Sequence, residues 1–325
     1  MKIVGLEEHF VTPDLLDAWA AVEPHWQDLA MPAHGDWARR LLDLGDERVA
    51  AMDDTGLDVQ VVSITAPGLQ NLAPVDAVRL QTDCNDRLAG AVAARPDRLQ
   101  GFATLATPDP RAAADELGRA VTKLGLHGAM LFGRSRDRNL DHPDNWTLFE
   151  AAEALNAPLY VHPQSPLPEV RRAYYDGLGA ALDNAFATHG IGWHYETGVQ
   201  LLRLILGGVF DRFPGLQVIV GHWGELVLFY LERINRLSAV AELQRPVSEY
   251  LRTNVYVTPS GMLSRRYLHW ALDVVGADRI MFSTDYPYIS VPDGASRKFL
   301  EQLDDADREK IASGNWDRLC AAIRR

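Results

Sequence analysis

Eight short apolar runs alternate with helical patterns along the 325-residue chain, and this alternation most constrains the fold. Strand–helix alternation implies a parallel sheet. Eight units favour a closed (β/α)8 barrel over an open doubly wound sheet, and no GxGxxG motif follows the first run to indicate a nucleotide-binding sheet. The predicted strands are IVGLEEH (3–9), VQVVSITA (59–66), LQGFATLA (99–106), GAMLFG (128–133), PLYVHP (158–163), QVIVGHWG (217–224), NVYVTPS (254–260) and RIMFSTDYP (279–287).

The helical patterns place apolar residues three and four positions apart, as on one face of a helix. No repeat, low-complexity tract or linker divides the sequence, so we predict one domain over residues 1–325. Residues 13–45 are rich in Trp, Pro and His and predict an insertion after the first strand, where loops build a barrel's active site. The predicted helices cover 76–94, 111–124, 146–155, 196–210, 225–237 and 264–275.

Charge and cysteine content restrict the partners and the compartment. The net charge of −12 argues against nucleic-acid binding, which needs clustered Lys and Arg. Cys84 and Cys320 lie in helix-like stretches, which suits a reducing compartment without a disulfide framework. The first strand begins directly, without a signal peptide, and no apolar run approaches the roughly 20 residues that span a bilayer. We therefore expect a soluble cytoplasmic protein that does not bind membranes.

Four of the apolar runs end in residues that bind metals or carry protons. The first ends in Glu7 and His9, the fifth in His162, the sixth in His222 and the eighth in Asp285. The carboxyl ends of barrel strands meet at one face, and that face carries the chemistry. One such histidine alone is more often a core residue bonded to a carbonyl, but the coincidence on four strands favours a shared site.

The chemistry of these side chains predicts one divalent metal ion per chain. Oxygen and nitrogen donors suit Zn²⁺ or Mn²⁺, and the absence of cysteine ligands excludes the usual structural zinc sites. Because strand side chains alternate between faces, Glu7 shares a face with His9 and Glu8 points the other way. We therefore expect Glu7, and not Glu8, to bind the metal. Asp285 is a candidate both for ligand and for proton carrier.

Several motifs resemble those of the amidohydrolase superfamily, and most closely its metal-dependent aromatic acid decarboxylases, such as γ-resorcylate and 2,3-dihydroxybenzoate decarboxylase. The resemblance spans nearly the whole chain, through LEEHF, APLYVHPQSPLP, RLILGGVFDRFPGLQVIVGHWGE and RIMFSTDYP. It implies a homo-oligomer, a dimer or a tetramer. It also implies that the metal ligands are Glu7, His9, His162 and Asp285. The catalytic residues that it implies are Asp285, His222 and Glu225, with Glu225 orienting His222. It further implies that Arg233 contacts the substrate or another subunit.

The first strand separates two reactions within this superfamily. Many hydrolytic members carry His-x-His there, whereas the decarboxylases carry Glu-x-His, as this chain does at Glu7 and His9. The extra negative charge makes a bound water less acidic, which disfavours hydrolysis. The sequence therefore predicts non-oxidative decarboxylation of a small hydroxylated benzoate-type acid. Its ortho phenolate and carboxylate would bind the metal, Asp285 would protonate the ring carbon, and the metal with His222 would stabilise the moving charge.

Departures from the family pattern leave the substrate and some roles open. Gln164–Ser165 and Leu226–Val227–Leu228 replace residues of the family motifs, so the ring substituents stay unspecified. His194 replaces an apolar residue, and we expect it to line the pocket and bind substrate, with a histidine that is merely tolerated at this position as the alternative. Arg233 is alternatively a surface arginine, and Glu225 alternatively caps a helix. The rival functions are metal-dependent hydrolysis of a lactone or amide with Asp285 as base, and a scaffold whose metal is structural.

Overall fold

Seven of the eight predicted runs form parallel strands in the computed structural model, which describes residues 1–29 and 35–325. The third run is divided at Phe102, whose N–H donates to the Val62 carbonyl at 2.9 Å. This hydrogen bond joins a sheet of the first three strands to a sheet of the remaining five, each with its strands in chain order. The strands are β1 (Val4–Phe10), β2 (Val59–Ile64), β3 (Leu99–Gly101), β4 (Ala103–Thr104), β5 (Ala129–Phe132), β6 (Leu159–His162), β7 (Val218–Val220) and β8 (Val255–Val257).

The prediction of a regular eighth strand over 279–287 is wrong. This segment joins its neighbours through isolated bridges, Val257 to Ile280 on one side, and Gly5 to Phe282 and Glu8 to Tyr286 on the other. Asp285 has a φ of 63°, in the left-handed region, which interrupts an extended ladder. The segment nevertheless lies between β8 and β1 and closes the ring of strands. The chain is therefore a (β/α)8 barrel in which an irregular segment takes the place of a regular last strand.

Most predicted helices are confirmed within a few residues. The pattern at 196–210 is interrupted at Gly207 and Gly208, and the helix predicted at 225–237 is wrong, because residues 222–226 have left-handed φ angles and only short turns follow. The helices are α1 (Pro13–Ala20), α2 (Gly35–Leu42), α3 (Asp46–Thr55), α4 (Pro74–Ala94), α5 (Pro110–Thr122), α6 (Trp146–Leu155), α7 (Pro168–Tyr174), α8 (Ala180–Ala185), α9 (Gly192–Leu206), α10 (Val209–Arg212), α11 (His222–Glu225), α12 (Leu231–Ile234), α13 (Leu237–Val240), α14 (Val247–Thr253), α15 (Arg265–Val275), α16 (Ala295–Leu300), α17 (Asp305–Glu309) and α18 (Asn315–Ala322).

The ends of the long helices follow from local chemistry. Both α4 and α5 begin at a proline, whose fixed φ suits the first helical position. The Asp109 side chain caps α5 by accepting from the N–H of Ala112 at 3.1 Å. At its other end, α6 stops at Asn156, a residue that tolerates the left-handed φ of 49° found there. Among the described residues, no helix has the length and apolar character needed to cross a bilayer.

The predicted insertion over 13–45 covers the carboxyl end of β1, although residues 30–34 lie outside the described residues. Its described parts are α1, a 3₁₀ turn at Pro24–Trp26 and α2. The insertion is tied to the barrel by polar contacts: Val11 N–H donates to the Leu41 carbonyl at 3.0 Å, and the Ser165 hydroxyl donates to Asp28 at 2.6 Å. Ser165 follows β6, so the insertion reaches across the face where the strands end.

Candidate metal centre and active site

Four predicted ligands converge at the carboxyl ends of β1 and β6 and on the closing segment. One ligand atom from each of Glu7, His9, His162 and Asp285 lies within 4.8 Å of the others. His9 Nε2 is 3.3 Å from an Asp285 oxygen, and His162 Nε2 is 3.3 Å from Glu7 Oε1. The first three side chains are buried, and Asp285 is 14% exposed. The cluster is thus buried on the barrel side, and Asp285 is its most exposed member.

The orientation of these side chains follows from strand geometry. Glu7 and His9 share one face of β1, as the alternation of strand side chains predicts, even though the register against β2 shifts between Gly5 and Glu8. His162 is the last residue of β6. Its Nδ1 lies 2.9 Å from the carbonyl of Pro163, which favours a proton on Nδ1 and leaves the Nε2 lone pair facing the cluster.

The cluster leaves buried polar atoms without partners. Glu7 Oε1 and both ring nitrogens of His9 make no hydrogen bond with any described residue. An unsatisfied buried acceptor of this kind costs about 1–3 kcal/mol. By contrast, Glu7 Oε2 accepts from the hydroxyls of Tyr160, at 2.7 Å, and Ser260. A divalent cation with oxygen and nitrogen ligands would satisfy the orphaned atoms, so the donor set fits such an ion.

Burial favours the neutral forms of both Glu7 and His162, and for the histidine this is the form that binds a metal. Burial raises the pKa of Glu7, and the nearby Asp285 carboxylate adds to the rise, while His222 and His9 oppose it. Burial lowers the pKa of His162 well below its ordinary value, which keeps the imidazole neutral. A neutral imidazole is the ligand form, and a bound cation would favour the ionised carboxylate of Glu7.

Glu8 lies on the other side of β1 and ties the closing segment in place. Its carboxylate accepts from the N–H of Thr284 at 2.9 Å, the Thr284 hydroxyl at 2.6 Å and the N–H of Tyr286 at 3.3 Å. These side-chain hydrogen bonds add to the main-chain bonds between β1 and the segment, in which the N–H groups of Leu6 and His9 donate to the carbonyls of Phe282 and Tyr286. Burial raises the pKa of Glu8 to about 7, while the bonds from Thr284 oppose this rise.

Arg48 completes this second buried cluster, and sequence reasoning missed it. Its guanidinium donates to Gln60 Oε1 at 3.1 Å and to the His9 carbonyl at 2.5 Å. Gln60 in turn donates to Glu8 at 3.4 Å. Arg48 sits in an ordinary helical position of α3, so no local pattern marks it. Its full burial is visible only in the folded chain.

A second polar group lies beside the candidate metal centre and contains His222, Glu225 and His194. The two oxygens of the Glu225 carboxylate lie 2.8 Å from the Nδ1 atoms of the two histidines, Oε1 from His222 and Oε2 from His194. Their imidazole centroids are 4.6 Å apart. Glu225 is fully buried, whereas the histidines are 11% and 17% exposed. The structure therefore brings the predicted His222–Glu225 pair together and adds His194 to it.

The charges of this group reinforce one another. Burial alone would lower the pKa of His222, but Glu225, Glu7 and Asp285 together raise it to about 10. Burial would raise the pKa of Glu225, and the contacts with His222 and His194 reverse this effect and lower it. The Glu225 carboxylate is thus ionised and accepts a hydrogen bond from each of the two histidines.

The loop that carries His222 and Glu225 is strained and firmly anchored. His222, Trp223, Glu225 and Leu226 all have positive φ angles, between 48° and 67°, and each such residue costs about 1–2 kcal/mol. The His222 N–H donates to Ser260 Oγ at 2.9 Å. The turn is not a regular helix, so capping of a helix dipole does not explain Glu225.

Aromatic side chains form one wall of the site. The Tyr288 ring lies 5.7 Å from that of His9, and its hydroxyl is 2.6 Å from Thr65 Oγ1. Trp37, from the insertion, packs 5.8 Å from Tyr288. Such a wall suits a flat ring. Arg233 lies exposed on α12 and makes no side-chain hydrogen bond or ion pair with the described residues, so its predicted role stays a prediction.

Comparison with known proteins agrees with this geometry. The profile of a family described as amidohydrolase matches residues 9–319. A γ-resorcylate decarboxylase of Polaromonas sp. is 36% identical over 333 residues, covering 97% of each chain. The crystal structure of 5-carboxyvanillate decarboxylase from Sphingomonas paucimobilis superposes with a TM-score of 0.88, at 32% identity, covering 99% of each chain.

One further similar structure contains a metal. It is the 5-carboxyvanillate decarboxylase of Novosphingobium aromaticivorans in complex with manganese and 4-hydroxy-3-methoxy-5-nitrobenzoic acid. Its TM-score is 0.87 at 31% identity, with 98% of this chain and 96% of that chain covered. All three similar proteins are named as decarboxylases of aromatic acids.

Proposed function

The chain belongs to the amidohydrolase family, and from this premise we propose that it is a metal-dependent, non-oxidative decarboxylase of a hydroxylated benzoate-type acid. The observation that carries the proposal is the convergence of Glu7, His9, His162 and Asp285 at the strand ends. The likeness to named decarboxylases over nearly the whole chain favours this reaction over hydrolysis of a lactone or amide. Glu7 in place of a histidine favours it on electrostatic grounds.

These four side chains would hold one divalent ion, Mn²⁺ or Zn²⁺. The manganese in a similar decarboxylase supports the first, and the donor set suits both. When bound, the ion would supply positive charge that holds and orients the substrate's carboxylate and ortho oxygen. His9 and Glu7 present their unpartnered atoms for this purpose.

Asp285 is the proposed proton donor. Its carboxylic acid gives a proton to the ring carbon that bears the carboxylate. The carbon–carbon bond then breaks, its electron pair returns to the ring, and CO2 leaves as aromaticity is restored. The result is one arene and one CO2 for each substrate and proton consumed. No organic cofactor is needed, because the protonated ring accepts the electron pair.

His222 stabilises the charge that moves through the ring. Glu225 holds its Nδ1 at 2.8 Å, so the opposite ring nitrogen is the one available to substrate oxygens. The raised pKa of His222, about 10, favours the imidazolium, a charge-assisted donor. The aromatic wall of Tyr288 and Trp37 would hold the ring and limit access of water.

The whole enzyme is proposed to be a homo-oligomer of single-domain chains in the cytoplasm. Phe229 and Trp270 are 60% and 37% exposed and pack against each other with centroids 4.9 Å apart, an apolar surface that suits a subunit contact. Arg233 lies near this surface in sequence and is retained as a substrate or subunit contact. Both cysteines are free, which suits a reducing compartment. Sedimentation of the purified protein tests the oligomer.

Product analysis tests the reaction. Metal-loaded protein is incubated in heavy-oxygen water with hydroxybenzoates and, separately, with aromatic lactones and amides. We expect one CO2 per arene formed and no ¹⁸O in any acid product. An acid product that carries ¹⁸O would establish a hydrolase instead. Inertness of metal-loaded protein towards both panels would favour a scaffold with a structural metal.

A further inference from the structure

We propose that His194 is a positioning residue that fixes the Glu225 carboxylate, and through it His222, so that the three side chains act as one His–Glu–His unit. Sequence reasoning predicted His194 as a substrate contact, but the fold commits its Nδ1 to Glu225 at 2.8 Å. The positioning is a property of the fold alone. Its effect on catalysis rests on the proposed function.

The carboxylate has an oxygen for each imidazole, and this fixes its plane. An ionised carboxylate only accepts hydrogen bonds, so both Nδ1 atoms must carry protons that they donate to it. Among the described residues, His222 and His194 are the side chains that donate to the Glu225 carboxylate. Removing His194 leaves one oxygen of a fully buried carboxylate without its donor, free to rotate away from His222.

The packing of α9 places His194 at this carboxylate. Gly198 lies one turn after His194 on the same helix face, and a Cβ atom there would come within 2.5 Å of the Glu225 carbonyl oxygen. The start of α9 is held as well, because Trp193 Nε1 donates to Ser165 Oγ at 3.1 Å. The helix therefore lies against the strained loop, which Ser260 anchors separately through the His222 N–H.

A second metal ion is the main alternative for this group. Its three ligand atoms also lie within 4.8 Å of one another. The 2.8 Å separations, however, are those of hydrogen bonds between each Nδ1 and its own oxygen. A cation at these nitrogens would require both to lose their protons. The geometry favours the hydrogen-bonded unit.

Proton NMR of the zinc-loaded protein, labelled with ¹⁵N-histidine, tests the positioning without reference to activity. An imidazole N–H that donates to a buried carboxylate resonates far downfield, so the wild type should show two such protons from this unit. His194→Phe, which keeps an aromatic ring without a donor, should remove one and shift the other. His269→Phe, at an exposed histidine of α15, should leave both unchanged. An unshifted His222 resonance in His194→Phe, or a second bound zinc equivalent in place of these protons, would overturn the proposal.

Kinetics separate positioning from substrate contact. His194→Phe should lower kcat by about 10- to 100-fold with KM changed less than about threefold, because the lost interaction acts in the transition state. His194→Gln keeps an N–H donor and should recover most of the rate, and it also controls for misfolding. In a Glu225→Ala background, His194→Phe should add less than about threefold. A rise in KM with unchanged kcat, or an undiminished loss in that background, would make His194 a substrate contact instead. If no substrate is decarboxylated, the NMR result alone decides the positioning.

Discussion

Two adjacent glutamates of β1, both fully buried, lie in opposite kinds of environment. Glu7 faces the cluster with His162, where its Oε1 and both nitrogens of His9 make no hydrogen bond with the described residues. Glu8 faces the closing segment, and both of its oxygens accept hydrogen bonds, including two from Thr284. Burial without partners is typical of atoms that receive a ligand, whereas burial with every partner present is typical of structural clamps.

The difference shows that one face of β1 carries the candidate metal ligand Glu7, whereas the opposite face carries Glu8, which holds the backbone of the closing segment. The Glu7 side is incomplete in the protein alone and open towards substrate through Asp285, which is 14% exposed. The Glu8 side is complete and holds the backbone on both sides of Asp285 by the N–H groups of Thr284 and Tyr286. The predictions below test this division of roles.

Metal removal should have the largest effect. Dialysis against a strong chelator should lower the rate of decarboxylation by more than about 1000-fold, because the cluster around Glu7 then lacks the positive charge that binds and activates the substrate. One equivalent of Mn²⁺ or Zn²⁺ per chain should restore the rate. Elemental analysis measures the stoichiometry. Full activity in metal-free protein would contradict the assignment of the Glu7 face of β1 to metal binding.

Glu7→Gln should lower metal affinity by about 100-fold or more and activity with it, since an amide replaces an anionic ligand. Glu8→Gln should retain close to one equivalent of metal. Competition with a chromogenic chelator measures both affinities, and Glu150→Gln, at an exposed glutamate of α6, is the matched control. The reverse ranking would show that Glu8 is the ligand and that the register of β1 differs from the one described.

Glu8→Gln should instead lower the free energy of unfolding by about 1–3 kcal/mol, because one buried acceptor in a network of hydrogen bonds becomes a donor. Urea denaturation of metal-free protein isolates this effect from metal binding. Glu7→Gln in the same assay should be neutral or stabilising, since it removes a buried charge on a carboxylate whose Oε1 makes no hydrogen bond with the described residues. Equal losses in the two variants would contradict the comparison.

His127 should show the smallest effect, as a half-buried histidine outside any described ligand cluster. Burial lowers its pKa from 6.5 to about 4. The unfolded chain therefore takes up a proton below pH 6.5 that the folded chain resists, and stability is lost as pH falls towards 4. His127→Phe should reduce this loss by about 1–2 kcal/mol. Urea titrations at pH 7 and pH 4.5 measure the difference, and parallel curves for the two proteins would contradict the burial argument.

The site residues at the strand ends were predictable because four of the apolar runs stop at a glutamate, histidine or aspartate, and alternation alone separates Glu7 from Glu8. Polar contacts between residues far apart in the sequence could not be predicted in this way. The bonds from Thr284 to Glu8 link residues 276 positions apart, and they help to hold an irregular segment where the apolar run at 279–287 predicts a regular strand. The helical pattern after His222 was misleading for a similar reason, because left-handed backbone in that loop depends on distant anchors such as Ser260. His194 was noticed, but its partner Glu225 could not be inferred from spacing.

The central claim is that Asp285 delivers the proton to the ring, and Asp285→Asn tests it most directly. Asparagine tolerates the left-handed φ of 63° at this position, so the backbone should be preserved, and its amide oxygen can still ligate weakly. In metal-loaded protein in deuterated water, the wild type should place one deuterium on the carbon that lost CO2. The variant should retain much of its metal yet decarboxylate at least about 1000-fold more slowly, because an amide has no proton of useful pKa. A metal-loaded variant within about tenfold of the wild type, roughly 1.4 kcal/mol of barrier, would remove Asp285 from the acid role and favour His222.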